Sequence, residues 1–224
     1  MTDDTSPYWE NAALLTIDVQ NSFALPGACA EIPGTWEVIP KIQQLVQAFR
    51  QSNKPIIHVI RIYLPDGSNV DLCRRQDIRN GKQVALFSSD GVELVNELKP
   101  STQIILDVDK LMSGTFQAMS HHEWIMYKPR WGAFYQTSLE KHLRESFINT
   151  LVVCGCNFPN CPRTTIYEAS ERDFRVVFIP DATSQVYERG LQELRNIGVS
   201  LVSAEECIAK VMQTVKISCK NFHQ

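Results

Sequence analysis

The sequence predicts a three-layer αβα fold built on a mainly parallel sheet, and three observations carry that reading. Short apolar runs at 12–17, 56–60 and 151–154 have the continuous hydrophobicity of strands buried on both faces. Helical patterns alternate with them: Val38, Ile42, Leu45, Val46 and Phe49 share one face, as do Leu191, Leu194 and Ile197. Polar residues capable of chemistry follow several of the runs, with Asp18 after one, Lys128 after another and Cys161 a short turn beyond a third.

In chain order, 12–17 is the first strand, ending at Asp18, and a polar, turn-rich segment from Gln20 to Gly34 follows. The helix marked by Val38 to Phe49 stops before Pro55, and 56–60 is the second strand. Residues 63–89 carry charges and glycines with little periodicity; an insertion of that length points to a lid or an oligomer contact, and substrate selectivity is expected there. Residues 124–127 form the third strand, ending at Lys128, and Thr137 with Glu140 has capping-box spacing for the next helix. The strands 151–154, 175–179 and 199–202 complete the set, with Gly198 closing one helix and Ser203 with Glu206 capping the last. The expectation is a six-stranded, Rossmann-like sheet with helices on both faces and a ligand crevice at the carboxyl ends of its strands.

A chain of 224 residues suits one domain over 1–224, with its core at about 12–213. The net charge of −3 offers no electrostatic case for a nucleic-acid partner, and Arg74 and Arg75 stand beside Asp71 and Asp77. The polar, acidic start MTDDTSPYWENAA is unlike a secretory signal, and no apolar stretch approaches the roughly 20 residues of a membrane span. A cytoplasmic protein without a membrane partner is expected. Its seven cysteines lack framework spacing and read as reduced thiols.

The segment from Gly155 to Ala169, GCNFPNCPRTTIYEA, carries the sharpest chemical signal. It joins a buried strand to a helix, and Pro162 suits the first helical position, which puts Cys161 at or beside the N-cap. A helix N-terminus offers unsatisfied N–H groups and a partial positive charge, so a thiolate and an oxyanion are both favoured there. Cys161 would attack a carbonyl, Asp18 would carry its proton to the leaving amine, and Lys128 would offset the negative charges. The alternative for Cys154, Cys156 and Cys161 is a zinc or redox site, but Cys-x-Cys-x4-Cys lacks a paired CxxC knuckle.

Taken together, IDVQNSF from Ile17, KPRWGAF from Lys128 and the GCNFPNC turn resemble the isochorismatase-like cysteine hydrolases, over about Leu14 to Val202. The resemblance implies an Asp18, Lys128, Cys161 triad and cleavage of a C–N bond in a small amide or ureide through a thioester. It also implies an oxyanion hole from the N–H groups of Asn157 and Cys161, a cis bond between Cys156 and Asn157, and a homodimer or homotetramer. The chain departs from the family pattern at Asn157, commonly threonine, and at Pro162, commonly aliphatic. Nicotinamidases of the superfamily hold a metal through an Asp-x-His pair and a later histidine; HVIRIYLPDGSN, from His58, lacks the pair, so neither metal nor cofactor is expected. The presence of Cys161 argues against the family's vinyl-ether hydrolases.

Substrate contacts are expected from Gln20, Phe23, Arg61 and Trp131: Gln20 toward the aspartate or the substrate amide, Arg61 toward an oxygen, and the aromatics as an apolar wall. Surface ion pairing is the competing role for Arg61, and plain packing for the rings. Arg130 reads as a loop brace, His58 and Cys154 as core, Cys156 as structural, and His121-His122 as an exposed pair. The competing function is a non-catalytic or redox-sensing protein that keeps this fold to bind a small molecule or a partner.

Overall fold

The strand Ala12–Ile17, β1, is buried at every position and lies in the middle of the sheet. The computed structural model describes residues 4–87 and 89–221, with side-chain surroundings through Thr214. After β1 come α1 (Asn21–Ala24), α2 (Thr35–Gln51), β2 (Ile56–Ile60), α3 (Leu72–Arg79), α4 (Val108–Met112), β3 (Gln117–Ser120) and β4 (Glu123–Tyr127). The second half holds α5 (Leu139–Glu145), β5 (Thr150–Gly155), α6 (Cys161–Ser170), β6 (Arg175–Thr183), α7 (Glu188–Asn196), β7 (Ser200–Leu201) and α8 (Ala204–Asn221).

The sheet order is β3-β4-β2-β1-β5-β6-β7, parallel throughout except for the antiparallel pair of β3 and β4. Alternate residues of the strands feed two cores. Leu15, Ile17, Val59, Leu151, Val153 and Phe178 pack with Leu139 and Leu143 of α5, Ile166 of α6 and Leu194 of α7. Leu14, Ile56, Val152 and Val177 face the other way, onto Ile42, Leu45 and Phe49 of α2 and Cys207 and Val211 of α8. Both sheet faces are therefore covered, which is why the strands read as unbroken apolar runs.

Four expectations need adjusting. The sheet has seven strands rather than six, because the edge strand β3, QAMS, alternates half-buried and exposed positions and carries no apolar run to betray it. Residues 63–89 are not wholly irregular, since they contain α3 and a small core of their own in which Tyr63, Val70, Ile78, Val84 and Ala85 pack with Phe23 and Cys156. The Thr137 and Glu140 box does not form: the Thr137 hydroxyl donates to the Ala133 carbonyl at 2.6 Å, and α5 starts at Leu139. β6 runs past 179 to Thr183. The second box does form, with the Ser203 amide donating to Glu206 Oε2 at 2.8 Å and the Glu206 amide to Ser203 Oγ at 3.2 Å.

Chain order runs from β1 to β2 on one side, while β4 is followed by β5 on the other side of β1. The gap between the carboxyl ends of β1 and β5 is the switch point of the sheet, where α/β folds leave a crevice.

Candidate active site

Asp18 leaves β1 with a left-handed φ of 53°, a conformation aspartate tolerates better than most residues, and its amide donates to the Val59 carbonyl at 2.8 Å. Lys128 leaves β4 with its amide bonded to the Ile60 carbonyl at 3.0 Å. Its side chain, completely buried, reaches past the end of β2 so that Nζ meets Asp18 Oδ2 at 2.9 Å and the Arg130 carbonyl at 3.3 Å.

On the other side of β1, β5 ends in Gly155 at φ 121°, where a Cβ would stand 2.4 Å from the Ile17 carbonyl oxygen. Only glycine allows β5 to approach β1 so closely. The Cys156 amide then donates to that same carbonyl at 2.8 Å, the bond from Cys156 to Asn157 is cis, and the chain turns into α6 with Cys161 as the first helical residue and Asn160 as N-cap. Among the described residues, neither the Asn157 nor the Cys161 amide has a protein acceptor, whereas Phe158 donates to Ser184 and Asn160 to Asn157. The Asn157 side chain donates to Gln185 Oε1 at 2.9 Å.

The loop after Lys128 is fixed to the same helix. Ala133 donates to Thr165 Oγ1 at 3.2 Å and Phe134 to Glu168 Oε2 at 2.9 Å, and a Cβ at Gly132 would overlap the Glu168 carboxylate. Trp131 is thereby held over the crevice. Arg130 donates to the Asn69 and Pro129 carbonyls, which makes it a brace.

Asp18, Arg61, Trp131, Phe23, Asn157 and Cys161 line one small cavity, together with Ile32, Arg74 and Cys156. Cys161 is 7 % exposed, and its pKa is pushed up to about 12, first by burial and then by the Asp18 charge, against the opposing pull of Lys128 and Arg61. Burial therefore works against the ionisation that the helix N-terminus favours, and holds the group toward the thiol. Asp18 Oδ1 is buried without a partner of hydrogen-bond geometry, and the Cys161 thiol is the neighbouring donor that interacts with that carboxylate.

Gln20 is placed otherwise than expected. Its side chain is completely buried, with Nε2 donating to the carbonyls of Arg61 and Val92 at 2.7 Å each and Oε1 accepting from the Arg61 amide at 2.8 Å. No polar atom of that amide remains for substrate, so Gln20 ties Asp18's loop to the end of β2. Arg61 does line the cavity, but it is a buried partner of Asp71, which also accepts from Tyr63 OH at 2.9 Å; its Nη1 donates to the Lys128 carbonyl at 3.3 Å. His58 is a satisfied core residue between Thr16 Oγ1 at 2.7 Å and Glu123 Oε1 at 2.8 Å. Among the described residues no group of three or more His, Cys, Asp or Glu could hold a metal ion. The six cysteines with described side chains are free, and burial pushes Cys156 up to about 12 and Cys154 higher still. No helix of the described residues is long and apolar enough to cross a membrane.

Sequence reading missed Arg74 and Ile32 at this cavity. The signal for Arg74 was its position in the 63–89 insertion, where selectivity was expected without a residue to assign it to.

A buried thiol at a strand-to-helix turn, facing a lysine-held carboxylate at the switch point of an α/β sheet, defines the class of this protein. The chain belongs to the Isochorismatase domain family, whose pattern matches residues 12–206. It is 30% identical over 204 residues to a probable inactive nicotinamidase of Arabidopsis thaliana, covering 88% of this chain and 95% of that one. It is 26% identical over 194 residues to the N-carbamoylsarcosine amidase of an Arthrobacter species, covering 84% and 67%. Among solved structures, an isochorismatase family protein of Desulfovibrio vulgaris subsp. vulgaris str. Hildenborough superposes with a TM-score of 0.74 at 29% identity, covering 87% of this chain and 95% of that one.

Proposed function

We propose that this protein is a cysteine hydrolase that cleaves a C–N bond of a small amide or ureide through a covalent thioester, with Cys161, Asp18 and Lys128 as its catalytic residues. The observation that carries the reading is Asp18 Oδ1, a buried carboxylate oxygen with no hydrogen-bond partner of its own, placed against the thiol while Lys128 holds the other oxygen. A buried acceptor left open costs stability, and a role as proton acceptor accounts for it.

In the first half-reaction Cys161 Sγ bonds to the substrate carbonyl carbon as its proton passes to Asp18, and the carbonyl oxygen becomes an oxyanion facing the open amides of Asn157 and Cys161. Collapse breaks the C–N bond, and Asp18 returns the proton to the leaving nitrogen. In the second half-reaction water attacks the thioester, gives its proton to Asp18 and releases the acyl group as an acid, and the proton on Asp18 restores the thiol. Lys128 stabilises the anionic states of its neighbours.

That an amidase is among the similar proteins supports the C–N bond as target. The same reading includes a single domain over 1–224, a cytoplasmic location and a homodimer or homotetramer. Ammonia or amine release from a panel of amides and ureides tests it, with Cys161→Ala as blank. Turnover by the folded native protein that disappears in the alanine variant is expected; turnover that survives in Cys161→Ala refutes the mechanism.

A further inference from the structure

Helix α6 holds more than the nucleophile. Cys161 is its first residue, and Thr165 and Glu168 follow on one face, which receives the loop after Lys128. The Thr165 hydroxyl, completely buried, donates to the Cys161 carbonyl at 2.8 Å and accepts from the Ala133 amide at 3.2 Å. One oxygen atom therefore joins the peptide of the nucleophile to the loop that begins at the lysine.

A helical threonine commonly turns its hydroxyl back onto the preceding turn, and that bond alone carries no functional weight. The second bond is the informative one, because Ala133 is itself completely buried and its amide finds its acceptor in this hydroxyl. Glu168 repeats the tie: its Oε2 accepts from the Phe134 amide at 2.9 Å, and a Cβ on Gly132 would stand 2.1 Å from that oxygen. Just upstream, the same loop carries Trp131, which lines the catalytic cavity, and the Arg130 carbonyl, which accepts from Lys128 Nζ at 3.3 Å.

We propose that Thr165 is a positioning residue for the reaction, its hydroxyl setting Cys161 against the pair of Lys128 and Asp18 and keeping Trp131 over the thiol, with Glu168 as the second tie. This rests on the hydrolase reading above. Without the hydroxyl the Ala133 amide is buried with no acceptor, and the loop lifts from α6 to satisfy it. Cys161 then stays at the helix start while the groups that act on it move, and a misplacement of about 1 Å between reacting groups costs about 10²-fold.

The test compares the native protein with Thr165→Val, which keeps the shape and removes the hydroxyl, and Thr165→Ser, which keeps the hydroxyl. Ammonia release from the panel of amides and ureides gives kcat and KM, and iodoacetamide labelling against pH follows Cys161; both are scaled to the folded fraction measured in urea. Thr165→Val should lower kcat by about 10-fold to about 100-fold and change KM by less than about 3-fold. Its labelling profile should move to lower pH, because burial is the main cause that pushes the thiol up and Trp131 no longer supplies it. Thr165→Ser should restore both properties. Glu168→Ala should shift both in the same direction, with rescue by Glu168→Gln, and it carries the test if the valine variant does not fold. A tie that serves only the fold would lower the folded fraction and leave the scaled kcat and the profile native. That result, or a serine variant as impaired as the valine one, overturns the proposal. A labelling shift caused by valine and reversed by serine, with no ammonia released by the native protein, supports the positioning role and overturns the hydrolase reading instead.

Discussion

Replacing Asp18 by Asn should move two properties of Cys161 in opposite directions. The thiol sits at a pKa of about 12 because it is buried and, next, because Asp18 is beside it. Removing an adjacent like charge lowers such a pKa by about 1–3 units. Each unit raises the thiolate fraction tenfold but lowers its nucleophilicity with a Brønsted slope of about 0.4–0.5, for a net gain of about 3-fold per unit. Alkylation of Cys161 by iodoacetamide should therefore run about 3-fold to about 40-fold faster in Asp18→Asn. Acylation by substrate should fall by about 10²–10⁴-fold, because the proton acceptor is gone. Lys128→Met should slow alkylation, since the thiolate loses a stabilising charge while the carboxylate stays. The assay is peptide mapping by mass spectrometry against time, with Cys154, fully buried in β5, reporting any unfolding. Slower alkylation in Asp18→Asn, or normal single-turnover acylation, would refute the assignment of Asp18 as the base that also holds the thiol protonated.

Three further outcomes are expected. Activity should survive exhaustive chelation, because His58, inside β2, is committed to Thr16 and Glu123; loss of activity on chelation with recovery on adding zinc, iron or manganese would contradict this. Light scattering at micromolar concentration should give a multiple of 25.5 kDa, as the length of the 63–89 insertion and the family resemblance imply, and a value of 25.5 kDa itself would count against assembly. Glu123, 1 % exposed, is held at about 2 rather than 4.5 because Arg50 and His58 overcome the opposing effect of burial, so it contributes about 3 kcal/mol above pH 4.5 that is lost as pH falls toward about 2. The stability gap between native protein and Glu123→Gln in urea should shrink between about pH 7 and about pH 3, and an unchanged gap would reject the pairing.

The fold was legible because strands covered on both faces must be apolar throughout, and β1, β2 and β5 are. β3 was not, since an edge strand with half its residues in solvent has no such constraint. The positions of Asp18, Lys128 and Cys161 followed from their places at strand ends, but the protonation state of Cys161 did not. A helix N-terminus can be read from Pro162, whereas the burial that opposes it comes from long-range packing, in a core that Cys161 shares with Ile17, Ala133 and Ile166. Gln20 misled for a similar reason. Its neighbour Asp18 lines the cavity, yet its own amide turns away to backbone groups of β2's end and of Val92, partners that no local pattern announces.

The resting thiol also separates the two functional classes. A redox sensor relies on an exposed, low-pKa thiolate, because that is the form that reacts with oxidants. Cys161 is the opposite case, 7 % exposed with its pKa raised by burial, so as a nucleophile it would need a neighbouring base to take its proton. A binding module needs the cavity but has no use for an acceptor oxygen kept open beside a thiol. That one relative is described as a probable inactive nicotinamidase shows that the fold alone does not guarantee turnover. What favours catalysis in this chain is therefore the set of three: a protonated nucleophile, a carboxylate with one oxygen fixed by Lys128 and the other free, and two open amides at the turn. Each has a cost in a folded protein that binding alone would not require, and the Asp18→Asn experiment reads them together.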